Sequence, residues 1–514
     1  MPKTSQKLLS IVLFVLLAGC SGLPSVGPDY TRPQDPEFAR WQIDNPIFQM
    51  LPAGQTPEVL SAWWAQLKDP DLDWLVQAAL EGDLSIAVAQ ARLRQARASR
   101  NVAVSAFYPT LGTSVAAAPT NYGASSNARP DQTQFDAGFD ASWEIDIFGG
   151  TRRSVEAASA EEQSARASLE NVQVTVIAEV AQNYVDVRNA QQRLLIAQRN
   201  LQAQTQTLQI AQWRNQAGLA RQTDVDQARA SLAQTRASIP DLQVSLARAK
   251  NRLAVLTGRT PGAVHARLSD ARPLPVLPQT VATAVPAQVL TQRPDIQVAE
   301  RNLAAQTARV GQQIAQRYPS LDLRGSFSWA AYSLTGLGTM DAFVSRIVGT
   351  LAATLFDGDR LKSLVDVQSE GQQQALATYA SVVLRALEEV ENALVAHAMS
   401  RQRSLSWMEA AQASASAATQ SRQLYQAGLV DFEQVLITDR AQFNAEESLA
   451  QARASELTTL IQLYKALGGG WQSADTQNPQ AIAGGPSGFS VQPGAAPSAT
   501  ATAMKISQPG TDPL

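Results

Sequence analysis

Gln134-Phe135-Asp136-Ala137-Gly138-Phe139-Asp140-Ala141-Ser142-Trp143-Glu144-Ile145-Asp146-Ile147-Phe148 alternates almost without a break. In an extended chain Phe135, Ala137, Phe139, Ala141, Trp143, Ile145 and Ile147 share one side, while Gln134, Asp136, Asp140, Ser142, Glu144 and Asp146 share the other. A run of this length with one apolar and one charged face suits a transmembrane barrel strand, lipid on one side and water on the other. A sheet packed on a protein core has the same period, so the alternation alone leaves that reading open. Three more strands are expected. Leu111 to Ala117 alternates weakly with Thr and Ser, and Leu321, Leu323, Phe327 and Trp329 alternate with Asp322, Arg324, Ser326 and Ser328. Phe343 to Phe356 is less regular. Four strands cannot close a barrel, and lipid does not tolerate an open edge. Several chains must then share one barrel, with Asp136, Asp140, Glu144 and Asp146 lining its lumen. Two copies would give eight strands and three would give twelve.

Outward from the strands the chain becomes helical and repeats itself. Thr151 to Ala217 contains no Gly or Pro in 67 residues, a helix of roughly 100 Å at about 1.5 Å per residue. Val180, Val187, Leu194, Leu201 and Leu208 fall at intervals of seven, a coiled-coil signature. A second such run, Asp359 to Ala427, has one Gly, at 371. Second helices follow Gly218 and Gly428. Phe107-Tyr108-Pro109-Thr110-Leu111 returns as Arg317-Tyr318-Pro319-Ser320-Leu321, and Ala217-Gly218-Leu219 as Ala427-Gly428-Leu429, both shifted by 210. Thr257-Gly258 returns as Leu467-Gly468 in the same register. Each unit reads helix, two strands, a very long helix and a second long helix. The helices alone would suit a soluble coiled-coil scaffold; the amphipathic strands argue against it.

The N-terminus addresses the chain to an envelope. Lys3 and Lys7 precede a short apolar run, Leu8 to Leu17, about half the ~20 residues a spanning helix needs. Leu17-Ala18-Gly19-Cys20 then resembles a bacterial lipobox, with Cys20, the chain's one cysteine, as lipid attachment site. Ser21 rather than Asp resembles an outer-membrane address. The expected divisions are a signal peptide at 1–19, an extended segment at 20–60, a first repeat at 61–258, a Pro-rich connector at 259–290, a second repeat at 291–471 and a disordered tail at 472–514.

Composition narrows the function classes. Only 17% of residues are charged and the net charge is −3, so there is no broad field for nucleic acid. One Cys and two His exclude a disulfide framework and a Cys/His metal cluster. His397 falls on the stripe Val383, Leu387, Val390, Leu394 and reads as packed; His265 is assigned no role. No phosphate loop or nucleophile elbow is present. No enzymatic activity, cofactor or metal is expected.

At this point the residues resemble the TolC-like outer-membrane efflux proteins, in the lipoprotein (NodT/OprM-like) branch that works with resistance-nodulation-division pumps. The matching motifs are Val26-Gly27-Pro28-Asp29-Tyr30-Thr31-Arg32-Pro33, Trp63-Trp64, Trp143-Glu144-Ile145-Asp146-Ile147-Phe148-Gly149, Leu355-Phe356-Asp357-Gly358 and Tyr464-Lys465-Ala466-Leu467-Gly468-Gly469-Gly470-Trp471. The resemblance implies a mainly α fold with transmembrane β-strands, an α/β-barrel of two repeats. It implies a homotrimer, in which twelve strands in the outer membrane continue into twelve periplasmic helices. It also implies an exit duct for small molecules, partnered by a periplasmic adaptor and an inner-membrane transporter, with an iris just after the Gly that ends each long helix. Relatives usually carry Leu where this chain has Glu433, and Asp where it has Ile437, so the usual gate pair is absent. Glu433, Ile437, Asp439, Arg440, Asp224 and Asp226 are the gate candidates, with Arg440 as a partner for Asp439. Solvated helix charges remain an equal reading of these carboxylates. Two other functions stay in view: a pore-less periplasmic coiled-coil lipoprotein of the adaptor type, and a duct for secreted proteins.

Overall fold

The computed structural model describes residues 25–34, 41, 45, 47–50, 60–120, 132–278, 281–283 and 292–471. Cys20 and its leader lie outside them, as does the tail at 472–514. In chain order the elements are β1 (Phe48–Met50), α1 (Pro70–Gly82), α2 (Leu84–Ser105), β2 (Thr110–Thr120), β3 (Gln132–Ile145), α3 (Gly150–Gln216), α4 (Gln222–Leu256), β4 (Val281–Thr283), α5 (Pro294–Ala315), β5 (Ser320–Ala331), β6 (Phe343–Ala352), α6 (Arg360–Gln426) and α7 (Phe432–Ala466). Helix, two strands, long helix, long helix thus occurs twice. The long helices match in length, 67 residues for α3 and α6 and 35 for α4 and α7.

Local chemistry sets the ends of these helices. The Asp69 carboxylate accepts from the backbone N–H groups of Asp71 (2.9 Å) and Leu72 (3.3 Å), with Pro70 opening α1. Asp83 does the same for Ser85 (2.8 Å) and Ile86 (3.1 Å) at α2. At the other end, Gly218, Gly258, Gly428 and Gly468 are all left-handed, with φ between 68° and 76°. Leu219 N–H bonds Arg214 O at 2.7 Å and Leu429 N–H bonds Leu424 O at 2.9 Å, while Gly218 and Gly428 bond Asn215 O and Tyr425 O. This Schellman closure turns the chain back at both tips.

Asp146 was expected in the lumen row, but β3 ends at Ile145. Its carboxylate instead accepts from the N–H groups of Thr151 (3.2 Å) and Arg152 (2.9 Å) and pairs with the Arg152 side chain. Gly149 has no side chain to cap α3, so a carboxylate from the preceding turn does so. The charged row of β3 therefore stops at Glu144.

The main core joins both repeats. Leu72, Leu75, Ile177, Val180, Tyr184, Val187, Leu253, Ile296, Val383, Val390, Leu460 and Ile461 are buried together, and Trp63 stacks on Tyr464 at 5.3 Å between ring centres. Of the sevenfold stripe on α3, Val180 and Val187 are fully buried, while Leu194, Leu201 and Leu208 are only partly so. The four-stranded sheet is antiparallel in the order β2-β3-β5-β6; β1 and β4 form a separate parallel pair.

Candidate functional site

The register of the sheet sorts its side chains onto two faces. Phe139 is opposite Thr113 on β2 and Phe327 on β5, and Ala141 is opposite Leu111 and Gly325. Across β6, Leu321 meets Leu351 and Gly325 meets Ile347. One face therefore carries Leu111, Val115, Phe139, Phe327, Phe343, Ile347 and Leu351, all exposed in the single chain. An uncovered apolar face of this extent demands an apolar environment. The opposite face carries Asp136, Asp140, Glu144, Asp322, Arg324 and Arg346, interrupted by Val344 and Val348 on β6. Among the described residues neither outer strand, β2 or β6, has a further strand partner, and every residue of each is exposed. No described helix is long and apolar enough to cross a membrane.

The second set of candidates lies at the tips of the helical hairpins. Ala211, Val225, Ala228, Tyr425, Phe432 and Val435 form a small core there, drawn from α3, α4, α6 and α7. Glu433, Ile437, Asp226 and Arg440 are exposed around it. Asp224 is half-buried and accepts from the Arg221 N–H at 3.2 Å, closing the start of α4. Asp226 accepts from Gln222 at 3.2 Å and lies 3.6 Å from Arg229.

Asp439 behaves differently from its neighbours. It is 7% exposed and held by Arg422 of α6, whose Nε donates at 2.9 Å. Arg440, the partner expected for it, points to α4 instead and donates to Ser231 Oγ at 3.3 Å. Burial pushes the Asp439 carboxyl up, opposed by the Arg422 hydrogen bond. Asp439 is thus a tie between α6 and α7 in this chain. The sequence does hold a signal for this pair: a hairpin turning at Gly428 to Asp431 brings residues equidistant from the turn together.

Two residues absent from the sequence-based candidates complete the tip. Arg214, near the end of α3, donates to Tyr425 O at 2.7 Å and places its guanidinium 4.6 Å from the Tyr425 ring centre. The buried Tyr425 hydroxyl and Ser421 Oγ find no hydrogen-bond partner among the described residues.

His397 is buried with Nδ1 3.3 Å from Thr459 Oγ1, and burial pushes its pKa down to about 4. His265 contacts Asn251 at 3.1 Å. Among the described residues no group of three or more His, Cys, Asp or Glu is placed to hold a metal ion.

Comparison with known proteins places this arrangement. The profile of the outer membrane efflux protein family matches residues 75–259 and again 285–469, one match per repeat. The pyoverdine export outer membrane protein OpmQ of Pseudomonas putida is 31% identical over 427 residues, covering 80% of this chain and 88% of its own. The cation efflux system protein CusC of Escherichia coli is 28% identical over 471 residues, covering 91% and 99%. Among solved structures, the outer-membrane channel OprN superposes with a TM-score of 0.81 at 34% identity, over 87% of this chain and all of that one. With a TolC-like fold and both repeats matched, the chain belongs to the outer membrane efflux protein family, as an outer-membrane component of an efflux system.

Proposed function

We propose that three copies of this chain close one twelve-stranded barrel in the outer membrane, continued on the periplasmic side by twelve helices. The duct passes small molecules delivered by an inner-membrane resistance-nodulation-division transporter through a periplasmic adaptor. One observation carries this reading: the sheet is open at both β2 and β6 while one of its faces is apolar and exposed. In lipid each unpaired backbone group would cost several kcal/mol, and β6 of one copy joined to β2 of the next removes both edges. Cys20 is the lipid attachment site in this reading, and the exposed tip residues Glu433 and Ile437 narrow the periplasmic end. Pyoverdine and cations, the cargoes in the names of two relatives, are chemically unlike. That fits a water-filled duct whose main selection is made upstream. Native mass spectrometry of the detergent-solubilised protein tests the assembly: three copies are expected. A dimer overturns the stoichiometry, and a monomer that stays dispersed without detergent favours the pore-less coiled-coil lipoprotein.

A further inference from the structure

The polar face of the sheet sorts its charges by row. At the helix end, Glu144 lies directly opposite Asp322, which in turn faces Thr350. One polar row further, Ser142 faces Arg324 and Arg324 faces Val348. In the next, Asp140 faces Ser326 and Ser326 faces Arg346. Successive polar rows are about 7 Å apart, two residues along a strand. The first row is thus purely acidic, the second purely basic, and the third carries one charge of each sign.

This order runs against what a sheet selected only for stability would show. Like charges directly opposite on adjacent strands are destabilising, and opposite charges there are favourable. Placing Arg324 opposite Glu144 would have gained such a pair. Instead, Glu144, Asp322, Arg324 and Arg346 form no ion pair or hydrogen bond with the described residues. Asp140 alone among these charges is engaged, accepting from Ser114 Oγ at 3.2 Å. The same side chains line a groove of about 860 Å³ along the polar face.

We infer that these rows form a charge-tiered filter in the wall of the duct. Glu144 and Asp322 make an acidic collar that concentrates cations where the helices meet the barrel. Arg324, with Arg346 one row beyond, makes a basic tier that concentrates anions. The inference rests on the duct reading above, because only closure around an axis turns each row into a ring. Charges lining a confined, low-dielectric wall focus the local potential to several kT, screened over ~10 Å at 0.1 M salt and ~30 Å at 0.01 M.

Two reporter cysteines one row apart test it without a conducting pore. T350C sits in the acidic row and V348C in the basic row, each in the full-length protein reconstituted in bilayers, with the parent as background for Cys20. Each is modified by a cationic (trimethylammonium-ethyl) and an anionic (sulfonatoethyl) methanethiosulfonate at low salt. Relative to free cysteine, the cation-to-anion rate ratio should rise roughly fivefold at T350C and fall by a similar factor at V348C, the scale a potential of about one kT produces. E144Q/D322N should return the T350C ratio to the free value, and R324Q the V348C ratio. Equal ratios at the two reporters would overturn the filter and leave the duct reading standing. Reporters that react only after unfolding would show a face without water, and both readings would fall together.

Discussion

At the scale of single residues, Arg188 shows how a charge survives at the centre of this fold. It has no exposed surface, yet donates to Asp71 (2.8 Å), the Tyr184 hydroxyl (3.0 Å), Gln191 Oε1 (2.9 Å) and the Asp270 carbonyl (2.9 Å). Asp71 also takes Arg267 at 3.1 Å and Arg272 at 3.0 Å, both partly exposed to solvent. Removing one member of a buried pair leaves the other uncompensated, so Asp71→Asn should cost about 3–5 kcal/mol. Arg267→Gln should cost about 1 kcal/mol or less. Heat or urea unfolding followed by helical circular dichroism reads the difference, and equal costs would mean that burial at Arg188 is not decisive. Glu170 gives a pH prediction. Burial pushes its carboxyl up to about 7 from an ordinary 4.5, against the pull of Arg166. Between those values the folded chain holds a proton that the unfolded chain has lost, so this group lowers stability as pH rises toward 7. Glu170→Gln should narrow the drop in unfolding temperature between pH 5 and pH 8, with the other carboxylates unchanged in both proteins.

At the scale of elements, the two faces of β3 make opposite demands. Arg at a lipid-facing midplane costs about 2–4 kcal/mol, whereas a lumen position tolerates it. Phe139→Arg should therefore reduce the assembled particle on native gels far more than Asp140→Arg; equal losses would argue against the assignment of faces. The helix stops permit a finer comparison. Gly258 and Gly428 share the left-handed backbone, but a Cβ on Gly258 would lie 2.0 Å from Gly82 O, where α1 and α4 end together, while one on Gly428 meets nothing within 4 Å. Both substitutions to Ala carry the conformational cost of about 1–2 kcal/mol. Gly258→Ala should be clearly the more destabilising in thermal unfolding, because backbone rather than a side chain must move. Strand periodicity and the Gly stops were legible because each depends on neighbours in sequence. The end of β3 was not: Asp146 continues the alternation in sequence but leaves the strand to cap α3.

At the scale of the whole molecule, anchoring and barrel insertion are separable. Cys20→Ser should abolish incorporation of fatty-acid label, and label retained by the variant would place the anchor elsewhere. In the proposed barrel the strands supply insertion by a different route, through the apolar face centred on Phe139 and Phe327 and the edges of β2 and β6. In the proposed assembly, closing those edges takes more than one copy, a property of no single residue.

The amino-acid sequence alone determined the duplication, the two faces of the strands and the long helices with their glycine stops. All of these are periodic or local, so they are written within a few tens of residues. Only the tertiary structure decided which charges are paired. Arg422 rather than Arg440 holds Asp439, Arg188 reaches Asp71 across 117 positions, and Arg214 covers Tyr425 from the other repeat. Each pairing depends on how separate helices approach one another. The charge rows lie between these cases: their residues alternate visibly in sequence, but the meeting of Glu144 with Asp322 required the register of β3 against β5. A slip of two residues would leave both faces intact and bring Glu144 opposite Arg324. The order of charge along this face of the sheet is therefore set by strand pairing, because periodicity selects a face and only the backbone hydrogen bonds select a row.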